Sequence, residues 1–452
     1  MHMLKINLGV LVFLSLTFYG TSGALSSEIQ TVKDHPLTLT ECIRIALEIN
    51  PLPQAATMGV LAAQEATASA KSPYYPDLSF QTRYGYWQQR AFLPNGLSIP
   101  GRPVPRLIGP TEDWMAGLKA RYTLFDSGER RAQYLTAKAK QGVAEEEKTR
   151  TVQDLVLGVH QGFYGLAAAL ETRQVAEKML TQTREHLRLA KERKAAGAVP
   201  LADVLRVQVE TANSELTLVR AETLVRISKG NLNTIMGLPA EWPVLIAAKG
   251  EAIRSPDRIN LNQAFEQAIQ TRPEIKAALK RIEVSKGGVD LVKSSFGPKL
   301  RAEGMYGRRD TEPLPRDDEW LAGISLEWPL FTGFYRQHQL GLAKAEVSKA
   351  EAEVKQLLLK VRQEVWTAYS RLKEAYEAVQ ATKALVEDAQ ESMRLAKERY
   401  EVGAGTVTDL LDAQTALTRA LGTQVESEWD YHTAKAGFQR SVGSILEENG
   451  SK

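Results

Sequence analysis

The residues that could carry out chemistry in this chain form no recognised catalytic pattern. The sequence contains no GxxxxGK[ST], HExxH or GxSxG motif, the signatures of phosphate-binding loops, zinc proteases and serine hydrolases. Ser370 and Lys373 match the SxxK pattern, but they lie within a helical pattern on a charged face. We therefore predict that the protein is not an enzyme and has no catalytic residue.

Metal and cofactor sites are also not predicted. The single cysteine, Cys42, excludes an intramolecular disulfide and any site built from a cysteine pair. The six histidines include no closely spaced pair, and the eight methionines do not cluster. We expect no metal ligands and no cofactor.

Two carboxylates have a spacing that could act on ions. Asp409 and Asp412 are three residues apart on a predicted helix, so both project from one helix face. Around the axis of an oligomer they would form rings of like charge that attract cations and repel anions. Asp409 could instead cap its helix, because aspartate is favoured in the first turn. Both interpretations stay open for Asp409, whereas the ring is favoured for Asp412.

The amino terminus has the features of an export signal. Lys5 precedes an apolar run over residues 8–18, and small residues lead up to a cleavage position after Ala24. We predict a signal peptide at 1–24; no cysteine lies near the cleavage site, so lipid attachment there is not supported. The net charge of +3 is spread along the chain, so no nucleic-acid partner is expected.

The mature chain contains two copies of one unit. Residues 37–86 align without gaps to 259–308, an offset of 222, and RLAKER at 188–193 is repeated at 394–399, an offset of 206. The motif WxAG at 114–117 is also repeated at the offset of 206, at 320–323, so the change in offset, 222 − 206 = 16, falls between Trp87 and Trp114. The first copy therefore has 16 additional residues in its loop at 88–113, and 309–319 is the shorter counterpart: 87–113 spans 27 residues and 309–319 spans 11.

Each copy is predicted to contain a β-hairpin. Four segments alternate apolar and polar residues, and each has about the length that a tilted strand needs to cross a bilayer. These segments are about 77–87, 114–125, 299–308 and 320–331. Aromatic residues near their ends would lie at the membrane interfaces, namely Trp87, Trp114, Trp320 and Trp328.

Long helices follow each hairpin. No proline occurs in 111–199 or 330–452, and coiled-coil spacing of small apolar residues continues through the second stretch. The predicted helices are 128–197, 201–237, 333–402 and 406–447, the longer ones on the order of 100 Å. The repeats are thus 25–237 and 259–447, joined by a linker at 238–258 and followed by a tail at 448–452.

Four strands require partners. Unpaired sheet edges cannot face lipid, and four strands cannot close a barrel. Two chains would supply eight strands, whose interior is just filled by side chains, whereas three would supply twelve and leave a lumen. Strands in the membrane would thus mean a trimeric or larger pore. Polar residues on the other face would then line a lumen: Lys119, Arg121, Arg301, Glu303 and Glu327. The alternative is an exported coiled-coil scaffold with a small soluble sheet and no channel activity.

Several motifs make the chain resemble the TolC-type outer membrane efflux proteins. They are LTLTECIRIALEINP, SPYYPDLSF, WMAGLKARYTLFDSG, WLAGISLEWPLFTG and RLAKERYEVGAGTVTDLLDAQTAL, and both copies carry them. The resemblance implies an α+β membrane protein: a homotrimer with a 12-stranded β-barrel among the outer membrane lipids and a long periplasmic α-barrel of antiparallel coiled-coil helices. It further implies a passive duct that docks to a periplasmic adaptor protein and an inner membrane transporter.

The resemblance also assigns roles to residues at the helical tips. It implies a periplasmic gate in which Asp409 and Asp412 form rings, with Tyr400 and Asp203 in links that keep the tip closed. This chain departs from the family pattern at Gly405, where such a gate can carry an arginine. We expect Arg206 to reach a carboxylate in its place. The repeated tips, marked by Arg193, Gly197, Arg399 and Gly403, are predicted to dock the adaptor.

Overall fold

The computed structural model describes residues 35–88, 91–92, 101, 107–108, 112–248, 250 and 252–446. The predicted signal peptide, the tail at 448–452 and most of the loop at 88–113 lie outside the described residues. Two short paired strands, β2 (Ala91–Phe92) and β3 (Leu107–Ile108), belong to that loop.

The helices repeat in order and length, as the internal repeat predicts. The first copy contains α1 (Leu39–Ile49), α2 (Pro51–Ser69), α3 (Glu129–Ala195) and α4 (Leu201–Met236). The second contains α5 (Leu261–Thr271), α6 (Pro273–Ser294), α7 (Tyr335–Glu401) and α8 (Val407–Val442). We call α3 with α4 the first hairpin, and α7 with α8 the second hairpin.

Local sequence explains where these helices begin and end. Thr38 and Glu41 form a capping box at α1, and the Asn260 side chain accepts hydrogen bonds from the first turn of α5. Helix α8 ends at Val442, not at 447 as predicted, because Gly443 has a left-handed backbone with φ of 89°.

The four long strands form one antiparallel sheet in the order β1–β4–β5–β6. The strands are β1 (Asp77–Tyr86), β4 (Glu112–Phe125), β5 (Lys299–Asp310) and β6 (Asp317–Glu327). Pairing of β4 with β5 joins the two copies, so β1 and β6 are the sheet edges. Strand β6 ends before the predicted 331, because Pro329 has no N–H to donate. Trp328 therefore follows the strand.

Two pairs of helices stack end to end. The end of α4 meets the start of α2, where the Asn50 side chain donates to the Ile235 carbonyl oxygen at 2.8 Å. A Cβ at Gly237 would lie 2.8 Å from the Asn50 Cα, so glycine is needed for this approach. In the second copy, Thr271 donates to the Val442 carbonyl oxygen at 2.6 Å. Each long helix is thus flanked by an interrupted column of two shorter ones.

The main core lies at the first of these junctions. It joins α1, α3, the end of α4 and the middle of α8, and includes Cys42 and Phe163. The linker closes over it through a parallel bridge between Leu37 and Ile246. Among the described residues, the model contains no helix whose length and apolar character would suit it to crossing a membrane.

Candidate functional site: the sheet faces, the equator and the helical tips

The sheet has one apolar face, and that face is exposed. Directly paired residues lie on the same face, and Tyr84 pairs with Trp114 while Tyr306 pairs with Trp320. Large exposed side chains cover this face along its length, namely Leu78, Phe80, Tyr84, Leu118, Tyr306, Trp320, Ile324 and Leu326. An exposed apolar face of this extent is the pattern of a surface covered by lipid.

The opposite face carries the predicted lumen residues. Arg121 pairs with Glu303, and Glu327 pairs with Lys299. Arg301 donates to Glu327 at 2.9 Å. The strand register places all five predicted residues on this face, with Lys119, Arg121, Arg301 and Glu303 bordering a groove of about 760 Å³. That this face lines a lumen stays a prediction, which we develop below.

A second ionic cluster, which was not predicted, lies on the polar face. Buried Asp113 accepts hydrogen bonds from Arg309 at 2.6 and 3.0 Å and from Arg83 at 3.2 Å. Arg309 also pairs with Glu319 at 3.1 Å. The apolar–polar alternation of β4 continues before Trp114 and places Asp113 on this face. The predicted strand began at Trp114, so Asp113 was assigned to the loop.

The predicted interface aromatics lie at both ends of the strands. Trp87, Trp114 and Trp320 are at the end away from the helices, and Tyr84 packs on Trp114 with ring centroids 4.3 Å apart. Trp328 lies at the helix end, where its indole N–H donates to the Phe296 carbonyl oxygen at 3.1 Å. That these side chains lie at the two membrane interfaces stays a prediction.

An ionic network at the equator, where α8 meets α6, was not predicted. Glu274 accepts a hydrogen bond from Arg440 at 2.6 Å and from Arg272 at 3.3 Å. Arg272 also pairs with Glu364 at 2.6 Å, and Arg440 donates to Asp154 at 2.8 Å. Both arginines are buried. The network therefore ties α3, α6, α7 and α8 together beside a cavity of about 1040 Å³.

The protonation of Glu274 reflects these contacts. Burial is the largest influence and disfavours the charged carboxylate. The hydrogen bonds and charges of Arg272 and Arg440 together outweigh burial, so the pKa of Glu274 is lowered to about 2. Glu274 is thus the anionic centre between two buried cations.

At the tips, the two turns are alike and Arg193 connects them. Gly197 and Gly403 both have left-handed backbones, with φ of 73° and 79°, and end the long helices. Arg193 donates to the carbonyl oxygens of Tyr400 and Glu401, each at 2.8 Å, and its guanidinium lies 4.5 Å from the Tyr400 ring centroid. Its side chain is thus engaged with the second hairpin, and adaptor docking at Arg193 stays a prediction.

Two expected links are not made within the single chain, and the same links between chains stay a prediction. Tyr400 is buried, and within the described part of the chain its hydroxyl has no hydrogen-bond partner, so it makes no link to Asp203 in the first turn of α4. Arg206 donates to the Thr408 hydroxyl at 2.6 Å and not to a carboxylate. Thr408, one turn before Asp412, is the nearer acceptor for Arg206 and leaves Asp412 beside it on the same groove.

Asp409 caps its own helix, as one of the two interpretations expected. Thr406 and Asp409 form a reciprocal capping box with hydrogen bonds of 3.1 Å. These backbone and side-chain hydrogen bonds from Thr406 lower the pKa of Asp409. At Gly405, a Cβ would lie 3.2 Å from the Arg399 Cβ, so the turn packs tightly at this position.

Comparison with known proteins agrees with this architecture. The sequence profile of the outer membrane efflux protein family matches residues 42–238 and 264–444, which is most of the chain. The chain therefore belongs to the outer membrane efflux protein family. It is a channel protein and not an enzyme, and it resides in the outer membrane with long helices extending into the periplasm.

Individual relatives are distant but cover most of the chain. Protein CyaE of Bordetella pertussis is 26% identical over 84% of this chain and 78% of its own length. The outer membrane protein TolC of Escherichia coli is 20% identical over 86% of this chain and 78% of its own length. Among solved structures, the outer-membrane channel OprN superimposes with a TM-score of 0.78 at 20% identity, covering 90% of both chains.

Proposed function

We propose that three copies of this chain form a continuous passive duct, which conducts substrates from a periplasmic adaptor and an inner membrane transporter to the cell exterior. The observation that carries the proposal is a difference in burial between matching positions of the two copies. On α8, in the second hairpin, these positions are buried against the first hairpin. The matching positions on α4, in the first hairpin, are exposed, because no part of the chain that the structure describes covers them.

The difference is clear on α4 and α8. Leu411 is 7% exposed and its counterpart Leu205 is 52% exposed, while Val425 is 9% exposed and its counterpart Val219 is 57% exposed. A position that is buried in the second copy and exposed in the first needs, in the first copy, the same kind of neighbour that covers it in the second. The first hairpin would receive it from the second hairpin of another chain.

The complementary surface lies on α7. His160 on α3 is 6% exposed, whereas its counterpart on α7, Trp366, is 56% exposed. Leu385, the counterpart of buried Met179, is exposed as well. Large exposed apolar side chains at both ends of a repeat array are typical of surfaces that bind further copies.

The sheet favours the same assembly. Strands β1 and β6 are edges whose backbone groups would be unpaired in lipid, which costs several kcal/mol per group. Pairing of β1 with β6 of a neighbour removes both edges. Three chains then supply twelve strands, enough for an open lumen lined by the polar face.

Energy for export must come from partners, and the tips are the surface that would meet them. Both turns are exposed at the far end of helices on the order of 100 Å long. The matching RLAKER segments give both tips similar surfaces, as docking of a repeated adaptor requires. The family membership supports this arrangement.

Cysteine crosslinking tests docking at the tips. We expect Ala198→Cys and Ala404→Cys, both on exposed turns, to crosslink to the cognate adaptor in intact cells. Cysteine at Thr217, exposed in the middle of the first hairpin, is the control and should give no such product. Equal crosslinking at all three positions would contradict docking at the tips.

The gate belongs to the same proposal. In a trimer, Asp412 becomes a ring of three carboxylates near the axis, and Asp409 adds a second ring while capping α8. The charge of these rings would concentrate cations at the constriction. Arg206 and Thr408, which are hydrogen-bonded beside Asp412, hold the two hairpins together at this level.

Ion selectivity in planar bilayers tests the gate. Asp412→Ala is expected to lower the cation-to-anion permeability ratio by about threefold or more, because the ring loses its charge. Thr406→Ala is the matched control, since it removes the cap of α8 but keeps both carboxylates. Selectivity that is unchanged in Asp412→Ala, or lowered equally in Thr406→Ala, would show that the carboxylates do not line the constriction.

Conductance tests the duct itself. Purified trimers inserted into planar bilayers should give discrete single-channel currents, and monomer fractions of the same preparation should give none. Trimers that insert but carry no ions at any applied voltage would overturn the proposal.

A further inference from the structure

Arg193 caps a helix that belongs to the other hairpin. Tyr400 and Glu401 are the last residues of α7, where carbonyl oxygens have no partner within the helix. Arg193 supplies two donors to them, each at 2.8 Å, and places a positive charge at the negative end of the helix dipole. This contact is part of the joint between the two hairpins of one chain, which we call the intrachain joint.

Arg399 occupies the same position in the second copy. The two RLAKER segments have the same ion pairs: Arg188 contacts Glu185 and Glu192 at 2.5 and 2.6 Å, and Arg394 contacts its matching glutamates at 2.5 and 2.7 Å. The local conformation of the two helix ends is therefore the same. Arg193 is half-buried against α7, but Arg399 is exposed, because no further hairpin of the chain lies beside it.

We propose that Arg399 of each chain caps α3 of the neighbouring chain by donating to the carbonyl oxygens of Lys194 and Ala195. The proposal rests on the trimer proposed above. Three chains supply a ring of six hairpins. In this ring, the second hairpin of one chain contacts the first hairpin of the next chain in the same way as the first hairpin contacts the second within one chain. The residues that match Tyr400 and Glu401 at the offset of 206 are 400 − 206 = 194 and 401 − 206 = 195.

This interchain joint has fewer polar contacts than the intrachain joint. In the intrachain joint, Arg193 lies over the ring of Tyr400. In the interchain joint, the residue that corresponds to Tyr400 is Lys194, which has no aromatic ring for Arg399 and carries a like charge. The hydrogen bond from Arg206 to Thr408 has no counterpart in the interchain joint. The corresponding residues there are Asp412 and Ala202, and the alanine side chain cannot form a hydrogen bond.

A buried link inside the tip also has no full counterpart. His186 and Gln414 are hydrogen-bonded at 2.8 Å across the intrachain joint. The matching pair is Ser392 and Gln208, and serine is too short to make the same contact. Gln414 also donates to Gln182 at 2.8 Å, and the matching pair, Gln208 and Asp388, keeps a donor and an acceptor for this contact. The arginine cap is therefore one of two polar links near the tip that the repeat can preserve between chains. When the tips part, we expect them to separate at the interchain joints.

Crosslinking distinguishes the two joints. Cys42 is the only natural cysteine and is buried, so introduced cysteines report alone. With a short bismaleimide, Arg399→Cys combined with Ala195→Cys should give covalent dimers and trimers on denaturing gels. Arg193→Cys combined with Glu401→Cys should react within one chain and give no such ladder.

Arg394→Cys combined with Ala195→Cys is the matched control, because Arg394 lies on another part of the helix and is paired within it. A native trimer with no ladder above this control would overturn the Arg399 cap and leave the trimer intact. A protein that is monomeric before crosslinking would instead overturn the proposed function.

Hydrogen exchange tests the bonds and not only proximity. In the intact trimer, Arg399→Gln should speed amide exchange about threefold at 196–198, the frayed end of the neighbour's α3, through loss of the cap. Arg193→Gln should act instead at 402–404. If Arg399→Gln changed exchange only at 402–404, or at neither 196–198 nor 402–404, the result would contradict the proposal.

Discussion

Glu274→Ala is expected to destabilise the helical part of the protein by about 3 kcal/mol or more, because it leaves two buried arginines without their shared carboxylate. Arg272 and Arg440 would keep Glu364 and Asp154 as partners, but both of these are far more exposed than Glu274. The loss falls where four helices meet, so it should weaken the whole equator.

Thermal unfolding followed by circular dichroism in detergent measures this loss. Glu283→Ala is the matched control, because Glu283 lies on the same helix and forms an exposed pair with Lys280 at 3.0 Å. Exposed pairs contribute about 1 kcal/mol at most. Similar melting temperatures for the two variants would contradict the role assigned to Glu274.

The same residue predicts an acid dependence. The pKa of Glu274 is lowered from 4.5 to about 2 in the folded protein. Its contribution to stability is therefore fully present above pH 4.5 and is lost as the pH falls towards 2. Glu274→Gln should lack this part of the acid destabilisation. Parallel stability curves for the wild type and Glu274→Gln across that range would show that Glu274 is not the group responsible.

Val219→Asp is expected to abolish the trimer, lowering its yield by more than about tenfold, because each of the three interchain joints would bury an unpaired carboxylate. The counterpart position, Val425, is buried in every chain, which indicates how tightly this site packs. Thr217→Asp is the control: it adds the same charge two residues away, at a position that is exposed in both copies.

Size-exclusion chromatography of the detergent-extracted variants measures the yield. The monomer released by Val219→Asp should keep the helical content of the wild type, since the change lies on an exposed surface of the single chain. A trimer that tolerates Val219→Asp as well as it tolerates Thr217→Asp would place the interface elsewhere.

Much of the fold could be predicted because the repeat and the alternation are local signals. Strand β4 was expected from the alternation that begins at Trp114, and both long helices from the absence of proline. The capping of α8 by Asp409 was also one of two readings of a short motif. Such features depend on residues close in sequence.

The equatorial network could not be predicted because it depends on the tertiary packing of distant segments. Nothing in the sequence connects Arg440 with Glu274, or either of them with Asp154. The contact of Arg206 within the chain was not predicted for a related reason: charge alone suggested a carboxylate, but the packing of the two hairpins brings a threonine hydroxyl within reach. The differences in exposure between matching positions of the two copies could likewise be seen only in the three-dimensional structure.

The mass of the detergent-extracted wild-type protein, measured by native mass spectrometry, tests the central claim most directly. The account predicts a single species of three mature chains that survives dilution, because the apolar surfaces of α4 and α7 and the edges of β1 and β6 are covered only in a closed ring. A stable monomer, or a closed dimer of eight strands, would contradict it.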